Sequence, residues 1–270
     1  MRSNLWQKIS LLVIGMTLLS GCSLNNGTAS VSVDTLSSPT IVAHRGGANK
    51  FPESSVEAFK AVSDTNFPLE MDLRSLDDGT LVPQHDPTVD RNMLGLTGPV
   101  GSVTLEKWRL AKIKGVNGQT AGTPTTWEEI LDNFGGKTIL VPEIKESSID
   151  LDRFIASIVD RGLERSVIVQ SFDLEICKQL AASGLHVLYL FGKEQPSPHE
   201  IKSFGIDFVG PAKSVEADYL RSLQDAELKV WPWTVNESAA VQKLIDGGAD
   251  GVFTDDPWLI SQEIEPNTAR

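Results

Sequence analysis

The chain has 270 residues and carries 36 acidic side chains against 24 basic ones, a formal net charge of −12 at pH 7. That balance argues against nucleic acid and against electrostatic docking on anionic lipid, because both need clustered cations. The two cysteines, Cys22 and Cys177, leave no internal disulfide if Cys22 is modified, so the fold must rest on its own core, for which the length suffices.

The first element is a leader. Arg2 and Lys8 precede an apolar run from Ile9 to Leu19, about half the roughly 20 residues that span a bilayer. A basic start, an apolar centre and a small-residue end predict a secretory signal over residues 1–21. Leu19-Ser20-Gly21-Cys22 resembles the lipobox of bacterial lipoproteins, which implies that Cys22 is lipidated and becomes the mature N-terminus. The resemblance implies membrane attachment through that lipid, in a bacterial cell envelope. Ser23 resembles the outer-membrane sorting pattern, which points to the periplasmic side if the envelope is Gram-negative. The remainder of 22–39 is rich in Ser, Thr, Asn and Gly and is expected to be a flexible tether.

From residue 40 to 264, short β-rich runs alternate with helical patterns. The expected strands cover 41–44, 67–73, 138–144, 166–171, 186–191, 206–209, 228–235 and 250–254. Helical periodicity falls between them, as in Glu53–Ser63, Thr126–Phe134, Leu151–Gly162, Asp173–Ser183, Val215–Ala226 and Glu237–Gly247. Eight strands alternating with helices predict an α/β fold of the (β/α)8 TIM barrel type. A doubly wound open sheet usually has fewer strands, and its Gly-rich nucleotide fingerprint is lacking here. Residues 265–270 form a C-terminal tail.

The count of eight requires residues 80–85 to lie outside the barrel. Asp78-Gly79 is a two-residue hairpin signal of type I′. That register pairs Asp77 with Thr80 and sets Asp72 opposite His85, so Glu70, Asp72 and His85 share a face. The reading is a β-hairpin insertion after strand two.

Functional groups of such barrels gather at the C-terminal strand ends. In order these ends carry His44-Arg45, Glu70 and Asp72, Glu143 and Lys145, Gln170-Ser171, Trp233 and Asp255. Three carboxylates from two neighbouring strands make an all-oxygen site suited to Ca²⁺ or Mg²⁺. Arg45 and Lys145 add donors fit for a phosphate, and His44 and His85 could serve as general acid and base. His186 and His199 have no acid cluster nearby and receive no role.

"AHRGG", "FPESS", "LEMDL", "DDG" with "QHD" soon after, "PEIK", "QSF", "WPWTVN" and "DGVFTDDP" resemble the glycerophosphodiester phosphodiesterase family, in order from Ile41 to Pro257. The resemblance implies a divalent-metal enzyme hydrolysing glycerophosphodiesters to glycerol 3-phosphate and an alcohol. It implies Glu70, Asp72 and Glu143 as metal ligands and His44 with His85 as the acid/base pair. Arg45 and Lys145 match phosphate-binding positions, Glu53 matches the acid of the family's Pro-Glu-Asn motif, and Trp233 is taken as substrate-binding. Two positions depart from the pattern: the motif's Asn is Ser54, and a usual Thr or Ser is Leu76. A phospholipase D-type or lysophospholipase enzyme on the same barrel is the alternative, ranked lower because loops such as "GKEQPSPHE" are polar. A non-catalytic, phosphodiester-binding envelope lipoprotein is a third reading, which the intact acid and histidine set disfavours.

Overall fold

The computed structural model describes residues 31–264. The signal segment, Cys22 and the first part of the tether lie outside the described residues, as does the 265–270 tail. No helix of the described residues is long and apolar enough to cross a membrane.

In chain order the strands are β1 (Thr40–Ala43), β2 (Leu69–Ser75), β3 (Leu81–Pro83), β4 (Met93–Leu94), β5 (Lys112–Ile113) and β6 (Leu140–Ile144). They continue with β7 (Ile168–Ser171), β8 (His186–Phe191), β9 (Phe208–Pro211), β10 (Lys229–Val230) and β11 (Gly251–Thr254). Eight run in parallel in the order β10-β9-β8-β7-β6-β2-β1-β11, with β3 attached to β2. The result is a nearly closed TIM barrel. Between β10 and β11 the ladder is interrupted, because Pro232 has no N–H to give. Single bonds bridge the gap, from Asp250 N–H to Val230 O (2.9 Å), Phe253 N–H to Pro232 O (3.0 Å) and Val235 N–H to Phe253 O (2.8 Å).

The helices are α1 (Val56–Ser63), α2 (Leu105–Leu110), α3 (Trp127–Phe134), α4 (Leu151–Val159) and α5 (Leu174–Ala182), then α6 (Pro198–Ser203), α7 (Ala217–Asp225), α8 (Ser238–Asp246) and α9 (Pro257–Glu263). Their starts follow local chemistry. Ser55, Asp150 and Asp173 accept backbone N–H bonds as N-caps of α1, α4 and α5, and Thr126 with Glu129 forms a capping box on α3. The expected helix from Glu53 therefore begins at Val56, behind its cap. Part of the expected loop around Pro198-His199-Glu200 is α6, entered through Ser197 and a first-turn proline.

Side-chain alternation sorts the barrel into two cores. Leu69, Met71 and Leu73 of β2, with Leu140 and Ile144 of β6, face outward and pack under the helices. Val42, Val141, Ile168, Leu188, Phe208, Trp231 and Phe253 fill the interior. Glu70, Asp72 and Glu143 take the inward positions nearer the C-terminal rim, so the same period of two that builds the core delivers the acids.

Three expectations are corrected. The last part of the presumed tether is folded: Val33 is buried with the interior core, Val31 N–H donates to Gly136 O (3.2 Å), and Asp34 pairs with Arg165 at 2.7 Å. The strand expected over 228–235 ends at Val230, ahead of Pro232. Third, the hairpin loop has three residues. Gly79 N–H donates to Leu76 O (3.1 Å), Leu76 N–H donates to Thr80 O (2.9 Å), and Gly79 has φ +81°. This is a type I turn closed by a left-handed glycine. The pairs are Leu73 with Pro83, Arg74 with Val82 and Ser75 with Leu81. Gln84, not His85, stands opposite Asp72, and its N–H donates to Asp72 O at 2.8 Å.

Residues after β3 form a compact insertion. Val89, Met93, Val100, Val103, Trp108, Ala111 and Ile113 make its core together with Leu76 and Val82 of the hairpin, and Trp108 Nε1 donates to Thr125 O (2.9 Å). The departure at Leu76 thus places an apolar side chain in that cluster.

Candidate active site

Directly after β1 the chain doubles back through His44-Arg45-Gly46-Gly47. Arg45 itself is left-handed (φ +50°), a conformation costing about 1–2 kcal/mol for a residue with a Cβ. The glycines are required by space as well as by their positive φ. A Cβ on Gly46 would meet Ala58 at 2.8 Å, and one on Gly47 would meet Trp258 at 2.5 Å. The bend turns the Arg45 N–H onto Glu70 Oε2 (2.7 Å) and its guanidinium towards Asp72 Oδ2, 3.3 Å from Nε.

Strand register gathers the acids. Asp72 is paired with Glu143, and Glu143 with Gln170 on the next strand. Glu70, Asp72 and Glu143 each offer an oxygen within 4.8 Å of the others, and all three are buried. Gln170 Nε2 donates to Glu70 Oε1 (3.0 Å). Lys145 Nζ lies 2.9 Å from Glu143 Oε1 and 3.4 Å from Asp72 Oδ1. Burial, then the nearby Asp72 carboxylate, push Glu70 up to about 7 and Glu143 up to about 8. Burial also opposes ionisation of Asp72, but Lys145 and Arg45 hold it below the usual carboxylate range.

This donor set fits a divalent cation. Two fixed cations face three carboxylates, and burying such a cluster is costly unless it is neutralised. Asp72 Oδ2 is buried without a hydrogen-bond partner, since Arg45 Nε is close but not aligned to donate. An all-oxygen site of this kind could hold a hard metal ion.

Both histidines are oriented by carboxylates. His44 Nδ1 lies 2.6 Å from Asp255 Oδ1, while Asn236 Nδ2 donates to Asp255 Oδ2 (2.7 Å). His85 Nδ1 lies 2.7 Å from Asp86 Oδ1. Because β3 stops at Pro83, His85 is beyond the ladder and free of its alternation. Its carbonyl accepts from Arg74 Nε (3.0 Å), and its ring lines the same cavity as Asp72. Burial opposes protonation of both rings. Glu70 and Asp255 outweigh it at His44, whose pKa is raised, whereas His85 is lowered despite the pull of Asp72 and Asp86.

The structure brings His44, Arg45, Glu70, Asp72 and His85 together around one cavity. Glu143, Lys145 and Trp233 complete its predicted members, and Gln170 and Phe172 join them. Trp233 donates to Gly210 O (2.7 Å) and meets Phe172 edge-to-face at 5.3 Å. Glu53 stands behind this cavity, 3.6 Å from Arg45 Nη1 and clamped by Arg91 of the insertion. Ser54 holds φ +57° with its hydroxyl buried and unpartnered, a backbone state that the motif's asparagine would adopt more easily. Asp86, Arg91 and the orienting role of Asp255 come from the structure alone. Their signal was slight: an acid next to a histidine, and an acid at a strand end.

A parallel barrel whose rim joins buried carboxylates, an arginine, a lysine and two histidines is the framework of a phosphoric diester hydrolase. The chain belongs to the glycerophosphoryl diester phosphodiesterase family, whose profile matches residues 44–259. It is similar to the glycerophosphodiester phosphodiesterase of Caldanaerobacter subterraneus subsp. tengcongensis, 29% identical over 230 residues, covering 80% of this chain and 94% of that one. A Bacillus subtilis protein of the same name is 29% identical over 290 residues, covering 96% and 97%. Among solved structures, a phosphodiesterase from Oleispira antarctica in complex with the product sn-glycerol-3-phosphate superposes with a TM-score of 0.71 at 20% identity, covering 84% and 96%. The glycerophosphodiester phosphodiesterase of Agrobacterium tumefaciens strain C58 does so with 0.71 at 21% identity, covering 82% and 99%. At such identities the superpositions speak for the fold.

Proposed function

We propose that the protein hydrolyses glycerophosphodiesters to sn-glycerol 3-phosphate and an alcohol, with Ca²⁺ or Mg²⁺ held by Glu70, Asp72 and Glu143. The observation that carries the reading is the buried three-carboxylate cluster, undercompensated by Arg45 and Lys145, in a cavity that also receives two carboxylate-oriented histidines. A bound divalent cation would supply Lewis-acid neutralisation of the phosphate. Arg45 and Lys145 bind phosphate oxygens and stabilise the charge that grows as the new bond to phosphorus forms. One histidine takes a proton from the attacking hydroxyl, and the other returns one to the leaving alkoxide as its bond to phosphorus breaks. The neighbouring carboxylates raise His44 while burial lowers His85, so the two rings differ in basicity in the sense that one acid and one base require. With Nδ1 of each ring engaged by a carboxylate, Nε2 is the working nitrogen of both.

Release of glycerol 3-phosphate from glycerophosphocholine, followed with and without chelator, tests the reading. Turnover that chelator abolishes and added Mg²⁺ or Ca²⁺ restores is expected. Failure to release glycerol 3-phosphate, or release indifferent to chelator, overturns it. On the same reading the enzyme is held to the envelope by lipid on Cys22, and Cys22→Ala should move it to the soluble fraction.

A further inference from the structure

We propose that Arg91, which lies in the insertion and outside the barrel, is a positioning residue that fixes His85 and Arg45 relative to each other. The inference rests on the phosphodiesterase reading above. Its observation is a continuous chain of ion pairs. Arg91 Nη1 and Nη2 donate to the two oxygens of Glu53, at 2.8 Å and 2.6 Å, and Nε donates to Asp86 Oδ2 at 2.5 Å. The other oxygen of Asp86 meets His85 Nδ1 at 2.7 Å, and Glu53 Oε2 lies 3.6 Å from Arg45 Nη1. The order is therefore His85, Asp86, Arg91, Glu53, Arg45. One guanidinium fork thus joins two groups that line the same cavity.

The chemistry of each link makes the chain directional. Arg91 is the first cause holding Asp86 down to about 2, so that carboxylate is ionised and accepts only. His85 must then present Nδ1–H to it, which leaves Nε2 for the substrate. Glu53, clamped on both oxygens, is held in one rotamer against Arg45. A lysine could satisfy one carboxylate but not both at fixed angles, because only guanidinium offers this planar fork.

A purely structural role fits the surroundings poorly. The Arg91 side chain is 47% exposed, and without it Glu53 keeps Asn92 Nδ2 (3.2 Å) and Arg45 Nη1 (3.6 Å) as partners, so no buried carboxylate is left unpaired there. Its backbone is held without the side chain, since Lys114 Nζ donates to Arg91 O (2.6 Å) and to Asp90 O (3.0 Å). The insertion has its own core around Trp108, in which Arg91 takes no part.

The test uses Arg91→Met and Arg91→Lys in the whole enzyme, with kcat and KM for glycerophosphocholine, melting temperature, and the His85 tautomer from ¹⁵N NMR. Wild type should show a single Nδ1–H tautomer at His85. Arg91→Met should keep its melting temperature, lose that single tautomer and lower kcat about tenfold or more, an effect of the size that misplaced acid–base groups produce. Millimolar guanidinium should recover part of the loss, because the vacated fork is open to solvent. Arg91→Lys should fall between the two. A kcat within twofold of wild type in Arg91→Met overturns the proposal, as does a fall in kcat with the His85 tautomer unchanged. Should Arg91→Met fail to fold, Arg91→Lys decides, and wild-type values there overturn the proposal by themselves. If wild type releases no glycerol 3-phosphate, the functional reading fails instead, while the His85 tautomer still reports whether Arg91 holds that ring.

Discussion

The barrel rim and the insertion hold their functional groups by different means. Glu70, Asp72, Glu143 and Lys145 ride on or directly after β2 and β6, whose ladder pairs Asp72 with Glu143 and buries all three acids. Their positions are set by backbone hydrogen bonds and by the packing of alternate side chains. His85, Asp86 and Arg91 stand past the end of β3, where no ladder continues, and are placed by side-chain ion pairs with a partly exposed arginine at the centre. The rim buries carboxyl groups that hold their protons until a cation takes their place, whereas the insertion is charge-compensated among its own residues and Glu53. One region should answer to metal and the other to geometry.

The largest expected effect breaks the rim. Glu143→Gln or Glu70→Gln removes one ligand charge with almost no change of shape, and turnover should fall about a thousandfold or more. Melting of the metal-free variant should occur at or above the wild-type temperature at pH 8, because a buried carboxylate has become neutral. A variant that turns over normally at limiting metal would break the distinction between the two regions.

The pH dependence of stability separates them more finely. In the folded, metal-free protein Glu70 and Glu143 keep protons up to about 7 and about 8, while the unfolded chain loses them near 4.5. The folded state binds more protons across that window, so stability should fall as pH rises through it. A divalent cation bound there would take the protons' place, and metal-loaded protein should lose that slope. Asp86 runs the other way. Its folded pKa is depressed from 3.8 to about 2, so its contribution is present above 3.8 and lost as pH falls towards 2. Melting temperatures from pH 2 to pH 9, with and without Mg²⁺, would show both limbs. A metal-free melting temperature that rises from pH 5 to pH 8 would contradict the rim assignment.

The smallest effect belongs to the turn. Gly79 has φ +81°, and a Cβ there meets nothing within 4 Å. Gly79→Val is strained by its backbone alone, by roughly 1–2 kcal/mol. The pairing of Gln84 with Asp72 beyond the turn should survive it, so thermal stability should drop slightly and kcat should fall far less than in the carboxylate variants. Loss of the whole fold would show that β3 matters to the barrel itself.

The same division explains what could be read from the sequence. Strands of alternating apolar and acidic residues announce both the barrel and its rim, because one periodicity dictates packing and delivery together. Glu70, Asp72 and Glu143 were legible for that reason. The Asp78-Gly79 turn was not, since the dipeptide serves a two-residue loop and a three-residue loop equally well, and one residue of slip exchanges Gln84 for His85 opposite Asp72. His85 still reaches the cavity, by leaving the ladder, which no register argument anticipates. Arg91 was invisible because its partners lie 5 and 38 residues away, and no local pattern encodes such pairs. The folded stretch at Val31 and Val33 was hidden by polar neighbours in a segment whose composition suggests a tether.

A calorimetric titration of Mg²⁺ and of Ca²⁺ into the metal-stripped protein, compared with Glu143→Gln and Arg91→Met, tests the three-carboxylate metal site itself. Wild type should show one divalent site, tighter at pH 8 than at pH 6 because the ion displaces protons from Glu70 and Glu143. This site should be lost or greatly weakened in Glu143→Gln and retained in Arg91→Met. Equal binding by wild type and Glu143→Gln, or no binding by any of the three, would contradict it.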